Sequence, residues 1–243
     1  MSTWSSFLSR VKNISESYGR PFFRGQANSS WHLLPSISRN EWRVPASDPE
    51  NRLYNPEENL YFDFVTQAGA LLPENSTSWI NIFLMQHYGL PTRLLDWTET
   101  FSVALYFAVK NASKEAAIWI LDPFALNATT INRPSILHPT ELAHDYAAYY
   151  IERTAKLEGN VVALSPLRHN PRVFHQRAGF TLHDDIETPL EILHPDVVTK
   201  VILKKEGFAD AFKFLELAGV NEFTLFPDLE GLSRKLKTEY FHS

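Results

Sequence analysis

The sequence contains no cysteine, which excludes disulfides and thiolate metal ligands together. Nowhere in its 243 residues is there an apolar run near the roughly 20 residues needed to cross a bilayer. Glycine is sparse, at 9 residues. No Gly-rich phosphate loop, Gly-x-Ser-x-Gly elbow or His-Glu-x-x-His is found. A surplus of positive charge is also missing: 23 Lys and Arg stand against 28 Asp and Glu, for a net charge of -5. That balance argues against a surface that coats nucleic acid non-specifically, while leaving a local basic groove open. The 9 histidines lack convincing ligand spacing, so no metal is expected. The first residues carry no basic stretch followed by an apolar one, so no secretory signal is expected. These absences together predict a cytoplasmic setting without membrane association.

What is present is ordinary globular composition, 44% hydrophobic and 21% charged, enough for a sizeable core. No repeat or linker divides the chain, so a single domain over residues 1–243 is expected, with the polar stretch 40–59 as a surface loop. Phe7, Val11 and Ile14 predict a helix over 2–17. A strand over 21–24 ends at Gly25. Helices are predicted over 56–72, with Leu60, Phe64, Ala68 and Leu71 on one side, and over 76–87, closed by Gly89 and Pro91. Trp97, Phe101, Ala104, Leu105 and Ala108 form one helical stripe. Strands are predicted over 117–121, 161–164, 179–182 and 198–203. Phe208, Phe212 and Leu215 mark a helix ending near Gly219. A last helix has Asp228 as N-cap and Leu229, Leu232 and Leu236 buried. The mixture reads as α+β, without the βαβ cadence of a doubly wound sheet.

The segment Gln86-His87-Tyr88-Gly89-Leu90-Pro91-Thr92-Arg93-Leu94-Leu95-Asp96-Trp97-Thr98 concentrates polar, aromatic and turn-forming residues between two apolar runs. His87 and Tyr88, with Gln86, are either a satisfied polar network or the lining of a pocket, offering an aromatic face and hydrogen-bond groups to a planar ring. Asp96 and Glu99 fit a capping box before an apolar helix, with Arg93 paired to Asp96 and Thr98 as another cap. The same residues could instead face a ligand. Near the N-terminus, Phe22-Phe23-Arg24-Gly25-Gln26 places an arginine where a strand meets a glycine. Arg24 either pins the strand end to a carboxylate or presents a planar fork to the phosphate or carboxylate of a ligand, with Gly25 allowing close approach. Basic residues gather at Arg10, Lys12, Arg20, Arg24, Arg39 and Arg43, and again at Arg168, Arg172 and Arg177. Gln176 stands just before a predicted strand, between Phe174 and Phe180.

Phe23-Arg24-Gly25-Gln26, Trp31, Leu34-Pro35-Ser36, the long segment above, Ala104 to Ala108 and Gln176 to Thr181 make the chain resemble the FRG-domain family. The likeness continues through Ala218-Gly219-Val220 and Thr224 to Asp228, and so runs over nearly the whole chain. More distantly, it resembles ADP-ribosyltransferases of the Arg-Ser-Glu type. Phe23-Arg24-Gly25 is similar to their aromatic-Arg-Gly strand end, and Arg93 to Thr98 to their strand that ends in Ser or Thr and feeds a helix. Ser76-Thr77-Ser78 imitates that second motif literally but begins a helix. With Gln176 as first member of the third motif, Ala178 falls where those enzymes carry a catalytic Glu. Asp184, Asp185 and Glu187 are candidate substitutes.

This resemblance implies a split sheet flanked by helices, with NAD as substrate and ADP-ribose transferred to a nucleic acid or protein acceptor. Arg24, Thr98 and Gln176 would be catalytic. Arg24, Gly25, Gln26, His87, Tyr88, Arg93, Asp96 and Trp97 would bind NAD, with Tyr88 or Trp97 stacking on a ring. It also implies a bacterial toxin or anti-phage effector with an antitoxin or other neutralising partner. A non-catalytic nucleic-acid- or protein-binding module and an NAD glycohydrolase are the alternatives.

Overall fold

The phenylalanine pair Phe22 and Phe23 is buried on both sides, and the strand that carries it organises the rest of the chain. In a computed structural model, residues 3–39, 41–42, 55–166 and 177–241 are described. Their principal elements, in chain order, begin with α1 (Thr3–Tyr18), β1 (Phe22–Gln26), α2 (Ser36–Arg39), α3 (Pro56–Ala68) and α4 (Ser78–His87). Next come β2 (Leu94–Thr98), α5 (Phe101–Val109), β3 (Glu115–Leu121), α6 (Pro123–Ile131), β4 (Val161–Leu164) and β5 (Ala178–His183). The chain closes with α7 (Leu190–Leu193), β6 (Val198–Lys204), α8 (Phe208–Leu217), α9 (Glu222–Leu225) and α10 (Leu229–Tyr240). The fold is α+β, as its composition of separate helices and short strands predicts.

The strands form one six-stranded sheet in the order β4-β5-β2-β1-β3-β6, with every neighbouring pair antiparallel. Alternation along each strand gives the sheet two faces. On one face, Phe23, Ile118 and Ile120 meet α1, α5 and α8. On the same face but the other half of the sheet, Leu94, Phe180, Leu182 and Val162 meet Trp79 and Ile82 of α4. The opposite face packs Leu95, Trp97, Trp119 and Leu121 against Leu126 of α6 and Leu33.

Between those two halves the sheet is loosely joined. β1 pairs with β3 along its whole length and β2 with β5 along its whole length. By contrast, β1 and β2 share the one paired position Phe23↔Thr98. Their backbones diverge from there, and α4 and α5 stand over the opening.

The helix read from Trp97 onwards begins later than its apolar stripe suggests. Leu94 to Thr98 is a strand, with burial split between its two faces, and the helix begins at Phe101 after Thr100. Asp96 therefore is not an N-cap; it lies opposite Phe180 in the sheet. Trp97 matches the helical period by accident of position, because α5 starts only a few residues downstream. The helix α6 was not anticipated, although Asp122 followed by Pro123 is a start signal. Asp122 Oδ1 accepts the amides of Phe124 and Ala125, both at 3.0 Å.

Asp228 does cap the last helix, accepting from Gly231 N at 2.7 Å. Burial there differs from the reading, with Leu229 85% exposed and Leu236 41% exposed. The helix docks instead through Gly231, where a Cβ would lie 1.9 Å from the Phe226 carbonyl oxygen. Arg234, on the following turn, donates to Glu222 at 3.0 Å.

Candidate functional site

A cleft of about 750 Å³ lies over the seam between β1 and β2. Its floor is Gly25, Asp96, Thr98, Ala178 and Phe180, and α4 and α5 wall it with Phe83, Gln86, His87, Ala104 and Phe107. Trp31, Arg39 and Tyr88 line it from connecting segments and the helix end, with Trp31 and Tyr88 exposed. Such dimensions and aromatic walls suit a small organic ligand.

Arg24 belongs by strand alternation to the far face, yet it reaches this cleft because β2 has moved away from β1. Its Nη1 donates to the backbone carbonyl of Asp96 at 2.7 Å, replacing across the seam a bond that strand pairing would have made. The same nitrogen lies 3.9 Å from Asp96 Oδ2. Its Nε is buried and has no hydrogen-bond partner. Burial, against the opposing Asp96 charge and with a smaller contribution from Arg39, lowers the guanidinium to about 10. It stays protonated at neutral pH. Arg39 makes no ion pair among the described residues, so two cations share the cleft with one carboxylate.

Asp96 is held from the other side. Gln86 Nε2 donates to Asp96 Oδ2 at 2.7 Å, while the Gln86 carbonyl oxygen accepts from the Thr92 hydroxyl. Thr92 Oγ1 in turn accepts the Leu94 amide at 3.1 Å. This relay fixes which end of the Gln86 amide faces Asp96.

The other anticipated residues have varied placements. Gly25 is needed by the fold: a Cβ there would meet the Ala104 carbonyl oxygen at 1.8 Å, so what approaches it is α5. Gln26 is buried, accepting from Trp119 Nε1 at 2.7 Å and donating to the His32 carbonyl at 3.2 Å. Thr98 Oγ1 accepts the Thr100 amide at 3.0 Å, a turn that launches α5. His87 packs edge-on against Tyr88 at 4.9 Å. Trp97 borders the cleft, but its indole is 3% exposed and donates to Thr181 Oγ1 at 3.1 Å on the opposite face.

Arg93 is not among the cleft residues, nor is it paired with Asp96. It forks onto Glu57, with Nε and Nη2 contacts of 2.8 Å, and its guanidinium lies 4.4 Å over the Tyr150 ring. Asp184 contributes its carbonyl to Arg93 at 3.0 Å, and Asp185 Oδ1 accepts the amides of Glu187 and Thr188. None of Asp184, Asp185 and Glu187 lines the cleft. Gln176, Arg43, Arg168 and Arg172 lie outside the described residues.

Sequence reading missed Phe83, Asn111 and Arg39 as cleft residues. Phe83 carried only a helix-core signal, Arg39 was one scattered base among several, and Asn111 carried no signal. Their convergence depends on how α2, α4 and α5 pack.

Fold and site together define a class: a helix-flanked antiparallel sheet with an amphipathic, cation-bearing cleft at its one-position seam. Residues 19–117 match the FRG domain, and the chain therefore contains an FRG domain over that stretch. Every residue lining the cleft lies within the match except Ala178 and Phe180 of β5. No curated protein and no solved structure matches the chain. Among the described residues, no helix is long and apolar enough to cross a membrane.

Proposed function

We propose that the cleft binds NAD and that the protein transfers ADP-ribose from it to a macromolecular acceptor, nucleic acid or protein. The observation that carries this reading is Arg24. A buried guanidinium with an unpartnered Nε, at the floor of an aromatic-walled cleft that also holds Arg39, suits a ligand combining phosphate with planar rings. NAD has that composition, and the resemblance of Phe23-Arg24-Gly25 and of the strand ending at Thr98 to ADP-ribosyltransferase motifs selects it among such ligands.

In this reading Arg24 and Arg39 hold the pyrophosphate, and Thr98 supports the nicotinamide ribose. Tyr88, 72% exposed at the cleft mouth, stacks on a ring. Trp97, committed to the core, serves the site through its backbone. Gln176 orients the ribose. The setting we propose is the bacterial cytoplasm, as a toxin or anti-phage effector restrained by an antitoxin; this part rests on analogy. One observation favours a second reading, a non-catalytic binding module: Ala178 brings a methyl group to the cleft where the resembling enzymes carry a glutamate.

The test is NAD binding and nicotinamide release by the purified chain, with and without nucleic acid or protein acceptors. It is run beside Arg24→Ala, Arg39→Ala and Gln176→Ala. Wild-type release that Arg24→Ala and Gln176→Ala abolish, with a labelled ADP-ribose adduct on one acceptor, is the expected outcome. Release without an adduct identifies a glycohydrolase. NAD binding without release identifies a binding module, and folded protein that does not bind NAD ends the proposal.

A further inference from the structure

The resembling enzymes oppose the positive charge of the breaking glycosidic bond with a glutamate on the strand where this chain has Ala178. We propose that Asp96, on the neighbouring strand β2, is the carboxylate that does this work here, with Gln86 as its positioning residue. The proposal rests on the NAD reading above.

Among the described residues that line the cleft, Asp96 bears the one carboxylate. It shares a sheet face with Thr98 and Ala178, since Thr98 pairs with Ala178 and Asp96 with Phe180. Its charge thus lies next to the position where a glutamate at residue 178 would have projected. The side chain is 57% exposed in the middle of a strand, a position aspartate usually avoids. It caps no helix, and its nearest cation prefers its carbonyl, at 2.7 Å, to its carboxylate, at 3.9 Å.

The Thr92–Gln86 relay orients this exposed group through Oδ2 alone. The other carboxylate oxygen, Oδ1, accepts no hydrogen bond from the described residues. One oxygen is anchored and one is free in the cleft, the arrangement expected of a group kept still for charge stabilisation.

The bond from ribose C1′ to the nicotinamide nitrogen breaks, and its electron pair stays on that nitrogen, which leaves as neutral nicotinamide. Asp96 Oδ1 faces the positive charge developing at C1′. An oxygen or nitrogen of the acceptor bonds to C1′ from the side opposite the departing nicotinamide, within reach of Asp96, and its proton passes to the carboxylate and then to water.

The experiment uses the full chain with NAD as ligand. Binding is measured calorimetrically, nicotinamide release by steady-state kinetics, and thermal midpoints are recorded alongside. Asp96→Asn keeps the shape and the Gln86 contact while removing the charge. The expected result is an NAD Kd within about threefold of wild type with kcat lowered about a hundredfold or more. Gln86→Ala should lower kcat about tenfold with KM unchanged when rates are counted per folded molecule, well below its thermal midpoint, because a reduced folded fraction alone would lower the uncorrected kcat in the same way. It also keeps the test decisive if Asp96→Asn fails to fold.

Asp96→Asn releasing nicotinamide at the wild-type rate would overturn the assignment while the transferase reading stands. Loss of NAD binding in proportion to rate would make Asp96 a binding residue and overturn it as well. Wild-type protein that binds no NAD, or binds it and releases nothing, would remove the reading and the assignment together.

Discussion

Arg93 directly precedes β2 and Arg24 reaches the middle of that strand from β1, and the partners each finds give them opposite assignments. Arg93 finds every partner it needs within the fold: Glu57 as a bidentate carboxylate, the Asp184 carbonyl and the face of Tyr150. Glu57 also accepts the Tyr146 hydroxyl at 2.8 Å, so one ion pair joins α3, β2 and the π-helical turn at Ala147–Ile151. Arg24 keeps a buried nitrogen unsatisfied. Arg93→Ala should therefore destabilise the protein by about 3–5 kcal/mol, because Glu57 would remain as a buried charge without its partner. The double variant Arg93→Met/Glu57→Gln should recover part of that loss, because no unpaired charge remains. Urea unfolding of the three proteins checks both statements. Equal stability of Arg93→Ala and wild type would show that the pair carries no net energy.

At the scale of elements, the packing of α5 on β1 decides whether the cleft exists. Gly25 allows it, because any Cβ there would enter the Ala104 carbonyl and the Ala108 amide, at 1.8 and 2.7 Å. These are backbone atoms within a helix, which no rotamer change can relieve. Gly25→Ala should cost about 3 kcal/mol, at the upper end for overpacking. It should also weaken the NAD binding proposed for the cleft by the folded fraction, because α5 supplies Ala104 and Phe107 to the cleft wall. Thermal unfolding and a binding titration on the same sample separate the two effects. Unchanged stability would mean that α5 slides along β1 at little cost. The family triplet thus has two meanings. Its arginine faces the cleft, and its glycine serves the helix that walls it.

For the whole molecule, pH provides the probe. His183 is fully buried at the end of β5, sharing a hydrogen bond with Thr181 at 2.9 Å. Burial, then the neighbouring Arg24 charge, lower it from 6.5 to about 3, with Arg93 and His194 adding to the shift and Asp185 opposing it. Above pH 6.5 the ring is neutral in both folded and unfolded chains, and it adds no pH dependence. Between pH 6.5 and about 3 the unfolded chain binds a proton that the folded chain refuses, so stability falls as pH falls. The loss should approach about 1.4 kcal/mol per pH unit within that window. Urea midpoints from pH 7 to pH 4 should decline more steeply for wild type than for His183→Gln. Parallel slopes would place the acid sensitivity in other groups.

Much of this molecule was determined by its sequence alone. Local periodicity and capping chemistry are enough to mark α1, α3, α4, β3, β4 and the Asp228 cap, because each depends on near neighbours. The α+β class was legible for the same reason, and so were the FRG segments within residues 19–117 and the candidacy of Arg24, Asp96 and Thr98. Tertiary structure decided what local pattern cannot. It made Leu94–Thr98 a strand, since β5 beside it supplies hydrogen bonds that a helix start would forgo. It sent Arg93 to Glu57 and turned Trp97 into the core, because side chains two residues apart share a face and adjacent ones do not. It also opened the seam between β1 and β2. Only that divergence lets Arg24, from the opposite face, enter the same cleft as Asp96. The meeting is long-range, and no spacing in the sequence encodes it.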